Sequence, residues 1–459
     1  MASETVLIVG GGLSGLSTAY YLSKYGIRSV IVEKSGRLGG LIKTDQLEGC
    51  QLEAGPDSYI STKPQISDLA SELDGLSAKI IGSNDKARRV FVVRNGQLLA
   101  MPKGMAMMVP GEWPPVLRSN LLSASTKLRL LWETRTSPRS RDEDFSVGDL
   151  VRDHFGTEML EYLTEPLLCG VYGGDASELS ARSVLPRFVG YEQKFGSLIK
   201  GVRATAGEKT DGSLFRSFQG GMQTLIDALV KATARSVHVV HSEATRIDQS
   251  DTGWRLRFAG ESISCSHLVA AGPAHVTANL LEHSGPRVAK ELAAIPYSSA
   301  IVAMLVFDAA ALGHSLNGFG FLVPRRERQT IAAATWVNTK FPSRIRSGLA
   351  ALRAFVVGEQ ANQLIAAAVD KEALTQLVLQ DFRRLMGISA TPLFSTVYIW
   401  PKSMPQYVVG HAARINRLQS EADQLPGLHL TGNFFDGVGM PDCIRRAKDV
   451  AKHISDHSV

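Results

Sequence analysis

Residues Gly10-Gly11-Gly12-Leu13-Ser14-Gly15 have the spacing G-x-G-x-x-G. Glycines so spaced let the backbone turn tightly, approach a diphosphate and then pack a helix closely on a strand. The chemistry is capture of a dinucleotide, with backbone N–H groups at a helix start donating to phosphate oxygens. Glu33 stands 18 residues beyond Gly15. A carboxylate there accepts bonds from ribose hydroxyls and repels a 2′-phosphate. A merely structural turn would carry the same glycines, so the surroundings decide. Residues 5–10 are a short apolar run, as in a strand buried on both faces of a parallel sheet. Leu13 to Tyr25 reads as a helix closed by Gly26, and Ser29 to Glu33 as a second strand.

A second turn, Gly36-Arg37-Leu38-Gly39-Gly40, follows that strand. An arginine there can make charge-assisted bonds to phosphate. The two turns together resemble the extended dinucleotide motif of the amine-oxidase-like flavoproteins. The resemblance implies non-covalent FAD, with Glu33, Lys34, Arg37, Gly39, Gly40 and Leu41 beside it.

Five further segments resemble the protoporphyrinogen oxidase family. They are Glu53-Ala-Gly55-Pro56-Asp57-Ser58-Tyr59, Pro166-Leu-Leu-Cys-Gly-Val-Tyr-Gly-Gly-Asp-Ala-Ser-Glu-Leu-Ser180, Phe218-Gln-Gly-Gly-Met-Gln-Thr-Leu225, Gly318-Phe-Gly-Phe-Leu-Val-Pro324 and Thr431-Gly-Asn-Phe-Phe-Asp-Gly-Val-Gly-Met-Pro-Asp-Cys443. The resemblance spans essentially the whole chain. It adds Gly55, Pro56, Asp57, Ser58, Val239, Val438, Gly439 and Met440 to the FAD contacts, with the register at Val239 open by two residues. Many related flavoenzymes have Gly-Asp where this chain has Gly432-Asn433, so Asn433 is left outside that set.

Such enzymes oxidise a porphyrinogen to a porphyrin in three two-electron steps and pass the electrons to molecular oxygen, releasing hydrogen peroxide. The flavin ring accepts the hydride at N5, so no catalytic side chain and no metal is expected. The protein has only to hold a large flat ring and its carboxylates. By position in the family pattern, Arg89 pairs a propionate, with Arg88 as the alternative. Phe319 stacks on a pyrrole ring, and Val171 and Gly174 border the substrate. A solvated edge charge at Arg89 and plain core packing at Phe319 are the competing readings. Protoporphyrinogen IX is placed first as substrate, with coproporphyrinogen III, which has four propionates instead of two, as the alternative. A flavin amine oxidase is more distant, and a flavin-binding protein without activity is a different class.

The elements that must position these residues are those of an α/β, multidomain chain. The expected fold is a Rossmann-like FAD-binding domain of the p-hydroxybenzoate-hydroxylase type, a mixed-sheet substrate domain and a helical, membrane-facing domain. The expected boundaries are 1–86, 213–290 and 421–459 for the FAD-binding parts, 87–102 and 291–420 for the substrate domain, and 103–212 for the helical domain. Asn95-Gly96 between two apolar runs marks a hairpin. Helices are expected at 222–234, 371–386 and 441–455, and strands at 237–240, 254–258, 267–271, 301–307, 352–357, 396–400 and 428–431. Leu117, Leu121, Leu128 and Leu131 fall roughly on one helical face, with a possible break at Ser123 to Thr126. That face, with Lys127, Arg129, Arg135 and Arg139 nearby, either packs on its own domain or rests weakly on an anionic bilayer.

The chain has 459 residues, 44% of them hydrophobic and 20% charged, which excludes disordered and fibrous classes. A net charge of +6 without a Lys/Arg run gives no sign of a nucleic-acid partner. The basic excess suits anionic substrates or lipid heads. Cys50, Cys169, Cys265 and Cys443 lie far apart with no C-x-x-C, against zinc and against a disulfide framework. No leader pattern and no spanning segment is read. The expectation is a cytoplasmic protein, peripheral at most on the inner face of the cell membrane, with a homodimer left open. The eleven histidines are scattered, as expected of surface or satisfied core positions.

Overall fold

The computed structural model describes residues 5–205, 212–251 and 253–457. Its centre is a five-stranded parallel sheet. Strand β1 (Thr5–Val9) lies between β2 (Arg28–Glu33) and Leu268–Ala270; Val237–His241 flanks β2, and Leu428–Leu430 forms the other edge. The central strand is apolar because both faces of the sheet are covered, Val6 and Ile8 by helices and Leu7 and Val9 largely by the antiparallel strands 244–265. Helix α1 (Leu13–Lys24) crosses from β1 to β2 and packs against the C-terminal helix Met440–His457. Leu16, Ala19, Ile444, Ala451 and Ile454 are buried in that core. Each such leucine or isoleucine contributes about 1.5–3 kcal/mol by leaving water. Tyr25 ends α1, and Gly26 follows at φ 77°, the expected left-handed stop.

An antiparallel unit of Ala244–Ser250, Gly253–Phe258 and Glu261–Cys265 stands beside this sheet. A separate seven-stranded mixed sheet runs in the order Phe394–Pro405, Tyr297–Asp308, Leu349–Val357, Ala333–Trp336, Gly320–Leu322, Val90–Arg94 and Gln97–Ala100. All its pairs are antiparallel except Gly320–Leu322 with Val90–Arg94. Asn95 and Gly96 turn the hairpin at φ 52° and 72°, as a two-residue loop with both centres left-handed requires. Helix Lys371–Met386 covers the sheet, capped by the Asp370 side chain on Ala373 N–H and closed by left-handed Gly387. The mixed α/β class expected from sequence is thus observed.

Residues 113–204 form a helical body with its own core, including Leu130, Leu150, Phe155, Leu163 and Leu198. Leu117, Leu121, Leu128 and Leu131 do not share one face. The chain leaves the helix at Ser119, and Ser123 caps a new helix, Ala124–Glu133, by accepting from Thr126 N–H. Leu121 falls between the two helices and is fully buried, while the other three leucines are exposed. The break therefore begins earlier than the expected Ser123–Thr126. No helix among the described residues is long and apolar enough to cross a membrane.

Candidate flavin and substrate site

The glycine turn is shaped by close approach. Gly10 adopts φ 106°, and a Cβ on Gly15 would stand 2.0 Å from the Gly10 carbonyl oxygen. The amides of Leu13, Ser14 and Gly15 open α1 without an acceptor among the described residues; the first paired amide is Leu16, bonded to Gly12 O. A row of unpaired N–H groups with no acidic residue in the first turn is an anion cradle. The second turn docks on the first, with Gly39 N–H donating to Gly11 O at 2.8 Å. Gly12 and Gly39 form a bridge there. The cradle fits a dinucleotide diphosphate.

Glu33 ends β2 and faces the same turn. Its carboxylate accepts from Gly11 N–H at 2.7 Å and from Ser35 N–H and Oγ, both at 2.8 Å. Arg37 is spent on its own turn, donating to the carbonyls of Leu38, Gly40 and Ile42. Lys34 and Leu41 are exposed. Val239 lies opposite Ile31, on the strand flanking β2.

The loop Gly55–Ser58 is held from behind by charge. Asp57 pairs with Lys340 at 2.9 Å and with Arg353 at 3.6 Å, and Glu53 pairs with Arg344 at 3.0 Å. Burial would raise the Asp57 carboxyl, but Lys340, Arg353 and Arg344 outweigh it and hold the group well below the carboxylate range. At Glu53 burial wins and the carboxyl is pushed up despite Arg344. None of these three cations was found from the sequence. Arg353, alone in the apolar strand Leu349–Val357, was the available signal, because a charge in a buried strand needs a buried partner.

The C-terminal turn 432–439 leads into the last helix. The buried Tyr407 hydroxyl donates to Asn433 O at 2.7 Å and accepts from Gly437 N–H at 3.0 Å. The Tyr407 ring stacks on His411, with centroids 4.0 Å apart. The amides of Val438, Gly439 and Met440 follow without acceptors among the described residues. Asp442, in the first turn of the helix, binds Lys63 at 2.7 Å and so ties this end to the chain just beyond Ser58.

At the seven-stranded sheet, Arg89 and Phe319 are neighbours, since Phe319 N–H donates to Arg89 O at 2.7 Å. Phe319 is buried. Arg88 and Arg89 are both exposed; Arg88 faces Asp85 at 3.8 Å, while the Arg89 side chain has no ion pair among the described residues. Val171, half exposed, lies near the end of helix Glu165–Tyr172. Gly174 follows where a Cβ would strike the Gln406 side chain at 1.9 Å.

Residues 13–455 match the model of the flavin containing amine oxidoreductases. The chain belongs to that family. Within this flavin containing amine oxidoreductase family it is similar to a coproporphyrinogen III oxidase of Bacillus subtilis, at 32% identity over 96% of both chains. It is also similar to a protoporphyrinogen oxidase of Bos taurus, at 29% identity over 98% of both. A candidate protoporphyrinogen oxidase of Exiguobacterium sp. 255-15 superposes along the full length of both chains with a TM-score of 0.89 at 30% identity. The protein is an FAD-dependent oxidase of the porphyrinogen-oxidising branch of this family.

Proposed function

We propose that this oxidase converts coproporphyrinogen III to coproporphyrin III, with oxygen as acceptor and non-covalently held FAD. The observation that carries the substrate is the agreement of three bacterial relatives, of B. subtilis, Staphylococcus aureus and Propionibacterium freudenreichii. All are coproporphyrinogen III oxidases, at 30–32% identity over 96–98% of this chain. The relatives that act on protoporphyrinogen, bovine and tobacco, stand at 29% and 25%. This reverses the order expected from sequence alone. Oxidation of protoporphyrinogen IX stays as the second reading, favoured by the Exiguobacterium neighbour.

Bound FAD supplies a hydride acceptor, and the chain supplies position. The Arg89 guanidinium, with no carboxylate partner among the described residues, is suited to bidentate capture of a propionate. Phe319 beside it offers an aromatic face or edge to a pyrrole. Val171 and Gly174 bring apolar surface and close backbone to the ring. Parallel turnover of the two purified porphyrinogens, read by porphyrin fluorescence, tests the assignment. Higher kcat/KM for coproporphyrinogen III is expected, and a preference for protoporphyrinogen IX reverses it.

Weak contact with an anionic membrane surface, on its cytoplasmic side, belongs to the same proposal. Leu128 and Trp132 are 59% and 63% exposed, and Leu117 and Leu131 are also uncovered. Leu128, Leu131 and Trp132 of helix Ala124–Glu133 and Leu117 before it are thus left uncovered, while Leu121 packs inward. Arg129 and Arg139 are engaged internally, whereas Arg135 lies over the Trp132 ring at 4.4 Å. Co-sedimentation with anionic but not neutral vesicles, weakened by Trp132→Ser, is expected; dimerisation through this face without vesicle binding would reject the membrane.

A further inference from the structure

The buried charges behind Gly55–Ser58 do more than pin a loop. Three carbonyls of this stretch are held by side chains from other elements. Ala54 O accepts from Trp400 Nε1 at 2.8 Å, Gly55 O accepts from Arg353, and Asp57 O accepts from Arg344 at 2.8 Å and Ser217 Oγ at 3.0 Å. A trans peptide sends its N–H opposite to its C=O. The amides that follow Ala54 and Asp57 are therefore turned away from what holds those carbonyls, that of Gly55 from Trp400 and that of Ser58 from Arg344. Neither has an acceptor among the described residues, nor does that of Asp57. A half-buried amide left unpaired marks a place where an acceptor belongs. The charge balance points the same way. Among the described residues Lys340, Arg344 and Arg353 pair only with Glu53 and Asp57, three cations against two carboxylates.

We propose that Lys340, Arg344 and Arg353 are positioning residues that hold the Gly55–Ser58 loop, with Arg344 aiming the Ser58 amide and the three together a net positive charge, at negative charge arising on the flavin ring during reduction. This rests on the reading that Gly55–Ser58 lies against the isoalloxazine. A hydride from the substrate C–H bond carries two electrons and one proton, so its acceptor gains one negative charge. Fixed dipoles and charge in a water-poor site favour that charged state without reorganising. The cluster thereby raises the tendency of the cofactor to take electrons.

The test uses purified holoenzyme and the variants Arg353→Met, Arg353→Lys and Lys340→Met. Flavin content is read by absorbance, the two-electron midpoint potential by dye equilibration, and the affinity for sulfite, which leaves the same charge on the ring, by titration. Arg353→Met is expected to bind sulfite at least tenfold more weakly, with a potential lower by about 30 mV for each tenfold. Arg353→Lys restores most of both. Lys340→Met, at the rim of the cluster, lowers both in the same direction and serves where Arg353→Met does not fold. Flavin-loaded variants with unchanged potential and sulfite affinity overturn the proposal. A wild-type protein that binds no FAD overturns the underlying placement of the loop instead.

Discussion

Replacing His154 by alanine should destabilise the helical body by about 3 kcal/mol. The imidazole is buried between three helices. Its Nδ1 lies 2.8 Å from Glu133 Oε1 and its Nε2 3.2 Å from Glu192 Oε1. Removing one partner of a buried charged pair costs about 3–5 kcal/mol, because the other is left uncompensated. Glu133 keeps Ser197 Oγ and Leu198 N–H, both at 2.6 Å, and Glu192 keeps Arg139 and Arg141, which sets the loss at the lower end of that range. A loss of ~3 kcal/mol speeds hydrogen exchange of the amides in 124–133 and 147–155 about a hundredfold. That local probe is preferable to a melting temperature in a multidomain chain. In a Glu133→Gln background the same substitution should cost only ~1 kcal/mol, since no buried charge is then abandoned. Exchange altered less than threefold, or an equal loss in both backgrounds, would refute the reasoning.

The same network sets a pH window. Burial alone would lower the His154 pKa, but its bonds to Glu133 and Glu192 outweigh it and raise the value. A raised histidine contributes fully below its unfolded value near ~6.5, and the contribution is lost as pH rises through the folded value. Burial would raise Glu192, but His154, Arg141 and Arg139 lower it to about 2. Its contribution is present above ~4.3 and lost as pH falls toward the folded value. Protection of these helices should therefore peak between about pH 4.3 and 6.5 and weaken on the alkaline side, and His154→Ala should flatten that alkaline limb.

Gly15→Ala puts a Cβ 2.0 Å from a backbone oxygen, so the purified variant should retain less than about half of the wild-type flavin; full flavin content would contradict the cradle. Tyr407→Phe leaves Asn433 O and Gly437 N–H without their bridge, costing about 1–3 kcal/mol, and should weaken FAD roughly tenfold in apoprotein titrations; unaltered affinity would separate that turn from the cofactor. Arg89→Ala should raise the KM for porphyrinogen about tenfold at unchanged flavin content, with Arg88→Ala moving it less than about twofold; equal effects would exclude Arg89 as the specific carboxylate anchor.

What was legible in the sequence was written in local signals. Asp370 and Gly387 bracket a helix whose expected span, 371–386, is the observed one, and Asn95-Gly96 permits little but a hairpin. Strand Val237–His241 and the last helix were readable from apolar period and terminus chemistry, within a few residues. The parallel pairing of Gly320–Leu322 with Val90–Arg94 was not readable, because it joins segments more than 200 residues apart. The leucines at 117–131 misled because their spacing suits a helix that Ser119 and Ser123 interrupt. Lys340, Arg344 and Arg353 were missed because cations in sequence usually mean surface. Their partners lie some 300 positions earlier.

The register of the large sheet explains how the loop and the substrate edge are kept in step. Arg353, which grips Gly55 O, stands opposite Thr335; Thr335 stands opposite Gly320; and Gly320 stands opposite Val90. Arg89 and Phe319 immediately precede the last two members of this row. One hydrogen-bonded line thus runs from the anchor of the proposed flavin loop to the proposed carboxylate anchor. Its length is three strand spacings, about 14 Å. A slip of one residue would turn every side chain in the row to the opposite face. Gly320 guards the register, because a Cβ there would meet Ala334 O at 1.9 Å and its φ of 137° disfavours any other residue. The separation between the two anchors is therefore a property of backbone pairing, not of side-chain packing. Side chains facing the substrate can vary widely on this fold without moving the surface against which the substrate is set.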